Sequence, residues 1–371
     1  PMYGKMKEHL SKTLAEIREA GLYKEERLIE SSQSAAIQVG GKEVLNFCAN
    51  NYLGLANHPA VRKADAEAAA QYGLAYPMGA RMMSGQTRYH EKLEKIFAEF
   101  EKKEDAFLFN FGYQGIVSTI DALTARHDVI VYDAECHACL LDGIRLHLGE
   151  KFKYRHNNIE DCEKVLAHAC SVAEQNGGGV LLITEGVFGM TGALGILDKI
   201  TALKQKYQFR ILIDDAHGFG LLGEHGRGTS EHFNCMDEVD LYIGAFAKSM
   251  ASIGGFVAGP HYIINYLRAN LRSQMYAKSL PMAFVLGNIK RMEIIDSPEG
   301  DELRKKCWAI THAIQDGFRK EGFDIGEAEA CVTPVHIKGG VAQASKMAKD
   351  LRENYKIFCS VVIYPVIPKG M

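Results

Sequence analysis

The chain has 371 residues, 47% of them hydrophobic and 24% charged, with a formal net charge of -3. Such a composition belongs to a globular protein with a large core, and the length exceeds one typical domain, so two domains are expected. No basic surplus is offered to a phosphate backbone, so nucleic acid is not an expected partner. The longest apolar stretch, GGGVLLITEGVFGMTGALGIL, is rich in glycine and carries Glu185, so no transmembrane segment is expected either.

In chain order, Met6, Leu10, Leu14 and Ile17 recur at helical spacing and predict an amphipathic N-terminal helix. A short β stretch and the turn-rich NNYLGLANHP follow. From residue 59 the pattern alternates between helices and strands. VRKADAEAAAQYG and YHEKLEKIFAEF read as helices, then DAFLFN, DVIVYD, KFKYR, GVLLITE, FRILIDD, DLYIGAF and GGFVAG as strands, with helical DKITALKQKY among them. This alternation predicts an α/β fold around a mostly parallel sheet covered on both faces. Beyond residue 286 come two long helical runs, then short strands in VTPVHIKG and KIFCSVVIYPVIP around a further helix. The expected segments are therefore 1–58, a helix and β arm; 59–285, a large domain; and 286–371, a smaller α+β domain. Nine cysteines, an odd number spread from Cys48 to Cys359, together with the lack of a basic-then-apolar leader, point to reduced thiols in a cytoplasmic protein.

Two motifs invite a reading that their surroundings do not support. Gly218-Phe219-Gly220-Leu221-Leu222-Gly223 matches a dinucleotide fingerprint, but EHGRGTSEHF continues it with another glycine turn where a helix should start. Cys136-His137-Ala138-Cys139 offers two thiols for zinc, yet Cys162, His168 and Cys170 do not complete a ligand pattern, and no metal is expected.

Other residues combine better. Asp214, Asp215 and His217 lie where strand FRILIDD ends, at the edge where open α/β sheets bind ligands. Lys248 follows strand DLYIGAF among alanines, glycines and serines, where a bulky ligand can approach and the neutral amine is favoured. FNFGYQG opens a helix at Gly112 and Tyr113, whose N–H groups suit a phosphate. A lysine for an aldehyde, a carboxylate for a ring nitrogen and a phosphate cup are what pyridoxal phosphate requires.

With these parts in place, the chain resembles the α-oxoamine synthases, a group of fold-type-I pyridoxal phosphate enzymes. NFCANNYLGLANHP looks most like the aminoketobutyrate ligases of that group, and AKSMASIGGFVAG like its serine palmitoyltransferases. The resemblance implies a large domain with a seven-stranded sheet and a smaller C-terminal domain. It implies that Lys248 binds the cofactor aldehyde and takes the substrate Cα proton, that Asp214 pairs with the pyridinium, and that His217 bonds the phenolic oxygen. His137 would stack on the ring, Glu185 would belong to the cofactor pocket, and Asn50 would lie near the substrate carboxylate. A homodimer with shared active sites is implied, in which Lys278 and Ser279 reach the neighbouring subunit's phosphate. The implied reaction is decarboxylative condensation of a small amino acid with an acyl thioester. The palmitoyltransferase-like core favours a long chain with serine or cysteate, and the ligase-like N-terminal part favours glycine with acetyl-CoA. An 8-amino-7-oxononanoate synthase, another fold-type-I activity such as an aminotransferase, and a non-catalytic relative are the rival readings.

Departures from the family lie at Gly189, Ala245 and Ala277, where a hydroxyl is common. A substrate-carboxylate arginine is expected beyond PVIPKG, so the sequence from Pro1 to Met371 is expected to be part of a longer chain.

Overall fold

The computed structural model describes residues 4–363 and Ile367. They form two compact units, one made of residues 1–49 with 335–371 and the other of residues 50–334. This division does not follow the expected cuts at 58/59 and 285/286. The long helices after residue 282 belong with the large sheet, and the chain's two ends share the small unit.

The small unit begins with α1 (Gly4–Glu19). The amphipathic helix read from the sequence is present, and Met6, Leu10, Leu14 and Ile17 are all exposed within this chain. Strands β1 (Ala36–Val39) and β2 (Lys42–Asn46) form an antiparallel hairpin through the turn at Gly40 and Gly41, both at positive φ. Ile37, Val39 and Val44 make its core with Phe358 packed against them.

The large unit runs through α2 (Pro59–Tyr72), α3 (Arg88–Phe100), β3 (Asp105–Phe109), α4 (Gly112–Leu123), β4 (Val129–Asp133), α5 (Ala138–Leu146), β5 (Lys151–Tyr154) and α6 (Ile159–Asn176). It continues with β6 (Val180–Glu185), α7 (Leu197–Ala202), β7 (Arg210–Asp214), α8 (Thr229–His232), β8 (Leu241–Ala245), β9 (Gly255–Gly259), α9 (His261–Asn270), α10 (Arg272–Met275), α11 (Met282–Ile295) and α12 (Pro298–Lys320). The chain then returns to the small unit as α13 (Gly340–Asn354) and β10 (Ile357–Phe358), which pairs in parallel with β2.

The seven strands form one sheet in the order β3-β9-β8-β7-β6-β4-β5, and β9 alone runs antiparallel to its neighbours. Every residue of β6 is buried, as a central parallel strand covered on both faces requires. Strand alternation divides the core: Leu182, Ile211 and Ile213 face one side with Tyr242 and Phe256, while Leu181, Ile183 and Leu212 face the other with Ile243 and Val257. Helices seal the faces by the same logic. α6 buries Cys162, Leu166, Ala169 and Ala173 along one stripe, starts on the Asn158 side chain and ends at left-handed Gly177. Phe97 stacks on Phe256 with centroids 4.2 Å apart, and Phe219 and Phe246 complete the cluster beneath the turns that follow β7 and β8.

Two local expectations differ from the structure. DKITALKQKY is helical only to Ala202, then tightens into a 3-10 turn over Leu203–Gln205. VTPVHIKG contains no strand, and in the second run only Ile357–Phe358 is strand, with PVIP lying outside the described residues except for Ile367.

His90 at the start of α3 is fully buried, with Nδ1 2.7 Å from Thr87 Oγ1 and Nε2 2.8 Å from the Leu280 carbonyl. Burial, and then the nearby Arg81 charge, push its imidazole from an ordinary 6.5 down to about 4. The folded chain therefore binds fewer protons than the unfolded chain below 6.5, and stability falls as pH drops from there towards 4. The expected slope from this residue is up to about 1.4 kcal/mol per pH unit. Urea unfolding of the parent and of His90→Gln from pH 7 to 4.5 checks it; an identical pH dependence in both would contradict the assignment.

Candidate active site

The C-terminal ends of β4, β6, β7 and β8 share one edge of the sheet, and the polar residues of the site stand at those ends or in the turns just beyond. At the end of β7, consecutive side chains take opposite directions. Asp215 turns away from Lys248, and its carboxylate accepts bonds from Thr229 N (2.8 Å), Thr229 Oγ1 (2.7 Å) and Tyr242 Oη (2.6 Å). Burial raises this carboxyl to about 6 against the pull of those donors. Its carbonyl accepts from Gly218 and Phe219 N–H, which closes the turn carrying His217. The glycines of the apparent fingerprint are thus turn residues, with Gly220 and Gly223 at positive φ and no helix starting on them.

Asp214 is buried and accepts from Ala216 N–H at 3.1 Å. Opposite it in the β6–β7 register stands Glu185, also buried, whose Oε2 accepts from His137 N–H at 2.9 Å. Burial and then the Asp214 charge push Glu185 well above its ordinary value. Asp214 is raised by burial too, but Ala216 N–H and the charge of Lys248 favour its ionised form. Of the two, Asp214 is the carboxylate available to a cation.

His137 is the N-cap of α5, its Nδ1 accepting from Cys139 N–H at 3.1 Å. That bond fixes the ring hydrogen on Nε2, which faces outward on an exposed imidazole. Cys136 and Cys139 are buried, and Cys139 Sγ lies 3.0 Å from His137 Nδ1 and 3.8 Å from Asp214 Oδ2. The ring of Tyr113 meets that of His137 edge-on at 6.5 Å, and its hydroxyl donates to Asp142.

Lys248 sits in a tight turn closed by Ala251 N–H to its own carbonyl and by Ser252 N–H to Phe246 O. Burial pushes its amine below the ordinary lysine value, while the charge of Asp214 pulls partly back. His217 is held down to about 3 by burial and then by the charge of Lys248, so its imidazole is neutral. Its Nδ1 lies 2.7 Å from Tyr52 Oη, which is 3.1 Å from Asn50 Oδ1. A Cβ at Gly189 would stand 2.5 Å from His217 Nε2. The ring occupies the room that a hydroxyl-bearing side chain at 189 would take.

α4 begins after Phe111 with no side-chain cap, so its first N–H groups, at Gly112 and Tyr113, stay free for an anion. Asn110, just before it, donates to the Lys278 carbonyl at 2.5 Å. Lys278 is half-buried, with its ammonium 3.3 Å from the Ser279 carbonyl, and Ser279 is buried with its hydroxyl unpartnered. The structure thus gathers Lys248, Asp214, Glu185, His137, His217 and Asn50 around one sheet edge, and places the 278–279 loop against the residue preceding the α4 cup. A half-buried amine, a buried carboxylate facing it and an uncapped helix start are the donor set that pyridoxal phosphate requires. Among the described residues no cluster of His, Cys, Asp and Glu is arranged for a metal ion, and no helix is long and apolar enough to cross a membrane.

Comparison with known proteins agrees with this geometry. Residues 42–370 match the family model for aminotransferase class I and II. The cysteate-C-fatty acyltransferase of Capnocytophaga ochracea is 56% identical over 343 residues, 92% of this chain and 81% of that protein. The 8-amino-7-oxononanoate synthase of Treponema denticola is 37% identical over 363 residues, 98% and 90% of the two chains. The chain belongs to the α-oxoamine synthases. Its fold is that of the Sphingomonas wittichii serine palmitoyltransferase, with a TM-score of 0.89 and 27% identity over 100% of this chain and 91% of the other. Pyridoxal phosphate is the cofactor of this family of acyltransferases, and a serine palmitoyltransferase from S. paucimobilis, 25% identical, is solved with it bound.

For three residues of the site the sequence missed the role. Tyr52 lies inside NNYLGL, two residues from Asn50, where its hydroxyl was a usable signal. Cys139 drew attention for its sulfur rather than for the backbone N–H that orients His137. Asp215 stood in the sequence beside Asp214 as a strand-end residue, but its role in holding the turn after β7 could not be read there. Replacing Asp215 by alanine leaves three buried donors unpaired, at about 1–3 kcal/mol each, and should lower stability by at least about 3 kcal/mol in urea unfolding. A loss under about 1 kcal/mol would show that the knot is not holding the turn.

Proposed function

We propose that the chain condenses cysteate with a fatty acyl thioester, releasing carbon dioxide and the thiol and leaving a sulfonated long-chain α-amino ketone. The observation that carries this reading is the 56% identity with a cysteate-C-fatty acyltransferase across 92% of the chain. In this reading Lys248 would hold the cofactor aldehyde until the amino group of the substrate takes its place there, and the released amine, kept below its ordinary basicity by burial, would then take the Cα proton of the bound amino acid. Bound pyridoxal phosphate supplies the electron sink for the resulting carbanion. Asp214 would keep the pyridine nitrogen protonated, and Glu185 steadies the start of α5 by accepting from His137 N–H. The imidazole of His137 stacks on the ring and offers Nε2–H to a substrate oxygen where negative charge develops. Gly112 and Tyr113 N–H groups hold the phosphate, and Asn50 meets the substrate carboxylate.

The functional form in this reading is a cytoplasmic homodimer with shared active sites. Lys278 and Ser279 then reach the neighbouring subunit's phosphate, where a charged bond offsets the hydroxyls missing at Gly189, Ala245 and Ala277. The Lys278 ammonium, which has no carboxylate partner among the described residues, supports that assignment. The nine free cysteines support a reducing compartment.

A panel of cysteate, serine and glycine against long-chain and acetyl thioesters, read by mass, tests the substrate assignment. Cysteate with a long-chain thioester should give the dominant product; glycine with acetyl-CoA as the best pair would replace it with a C-acetyltransferase. Lys248→Ala should still bind cofactor and amino acid while losing turnover by about 100-fold or more, and rapid product formation by this variant would refute its role. Lys278→Ala should weaken cofactor binding about tenfold, or 1.4 kcal/mol; unchanged affinity in a cofactor titration would remove Lys278 from the phosphate site.

A further inference from the structure

Asp133 closes β4 with a fully buried carboxyl on which three N–H groups converge: Glu135 N–H at 2.8 Å, His156 Nδ1–H at 2.9 Å and Asn157 N–H at 3.0 Å. Its carbonyl also accepts from Cys136 N–H at 3.2 Å, so Asp133 shapes the turn that delivers His137 to the start of α5. On the other side of the His156 ring, Nε2 lies 3.5 Å from Glu135 Oε2, which sets one carboxyl group at each ring nitrogen. Burial works against a charged ring there, but the bond to Asp133 and the charges of Asp133 and Glu135 outweigh it and raise His156 above the ordinary 6.5. Among the described residues these two are the charged groups that face the ring, and the turn after β6 presents Phe188 to it, edge-on with centroids 4.4 Å apart. The same loop between β5 and α6 makes a second tie. Asn157, at a φ of 49°, donates from Nδ2 to the Leu194 carbonyl at 2.9 Å, and Leu194 pairs with Val187 across the turn that carries Gly189. Residues 156 and 157 thus join the turn before His137 to the turn beside His217.

We propose that His156 is a positioning residue: its charged ring, held between Asp133 and Glu135 and braced on Phe188, clamps the β4–α5 turn and so holds His137 in place at the cap of α5. With the clamp closed, Cys139 N–H stays on His137 Nδ1 and the ring keeps one pose. Without it, the buried Asp133 carboxyl loses a charged donor and the turn is held by backbone N–H groups alone. A residue that only added stability would loosen the whole sheet evenly, whereas this one acts on the turn it touches. The consequence for turnover rests on the pyridoxal phosphate reading, in which His137 stacks on the cofactor ring. The tie between the two histidines is a property of the protein alone.

Hydrogen exchange at Cys139, whose N–H meets the His137 ring, reads that tie directly, with and without cofactor. In His156→Gln, which carries neither charge nor ring, the Glu135 and Cys139 amides should exchange about tenfold faster while those of β6 keep the protection of the parent. Parent-like exchange at both amides would overturn the proposal, and so would an equal loss of protection in β6. Two further measurements decide it should that variant not fold. A two-bond ¹H–¹⁵N spectrum of the histidine-labelled parent should show His156 titrating with a midpoint above 6.5; a ring mostly neutral at pH 6.5 would overturn the clamp. Glu135→Gln, changed at an exposed position, should lower that midpoint and speed Cys139 exchange about twofold; no change in either would count against the proposal. With cofactor bound, His156→Gln should lower kcat about tenfold at unchanged cofactor affinity, since Lys248 and the α4 start are untouched; an unchanged kcat would sever the clamp from catalysis. A parent protein that stays colourless with pyridoxal phosphate would instead refute the cofactor reading, while exchange in the cofactor-free protein still decides the role of His156.

Discussion

The site depends on one constraint: β6 and β7 run parallel in a register that sets Glu185 beside Asp214 at their ends. Burial raises both carboxyls, and their surroundings sort them, the donor and the charge around Asp214 favouring its ionised form. The α5 start, the turn after β7 and the Lys248 turn all contribute to that sorting. His137 N–H touches Glu185, Ala216 N–H touches Asp214, and Lys248 adds its positive charge nearby. A slip of one residue in either strand would turn one carboxylate to the far face of the sheet, and the arrangement would be lost.

The seven strands of the large sheet were legible because central parallel strands are continuous apolar runs, and the helices between them show a clear apolar stripe. The helices after residue 282 were legible as helices but not as parts of the large unit. A buried stripe such as Val285, Ile289 and Met292 says that a helix packs, not on what, and here α11 lies on α2 and α3. VTPVHIKG misled because its valines and isoleucine suit a strand locally, whereas no neighbouring strand accepts its hydrogen bonds.

The residues of the site were legible to different depths. Lys248, Asp214 and the glycine turn at Gly112 carry their chemistry in their residue types and positions at strand ends. The tautomer of His137 depends on capping geometry and that of His217 on a contact 165 positions away in sequence, so neither could be read along the chain. The Cys-x-x-Cys run shows the same limit. Its thiols are packed inside, and burial raises both, so neither is poised as a thiolate.

The bare start of α4 has a consequence for the protein as a whole. A helix whose opening turn has no side chain to satisfy it is incomplete until an anion arrives. Occupancy of that turn is linked to folding, since a ligand that binds only the native state stabilises it in proportion to the logarithm of its concentration. An anion held at that turn therefore adds to the resistance of the folded chain to unfolding.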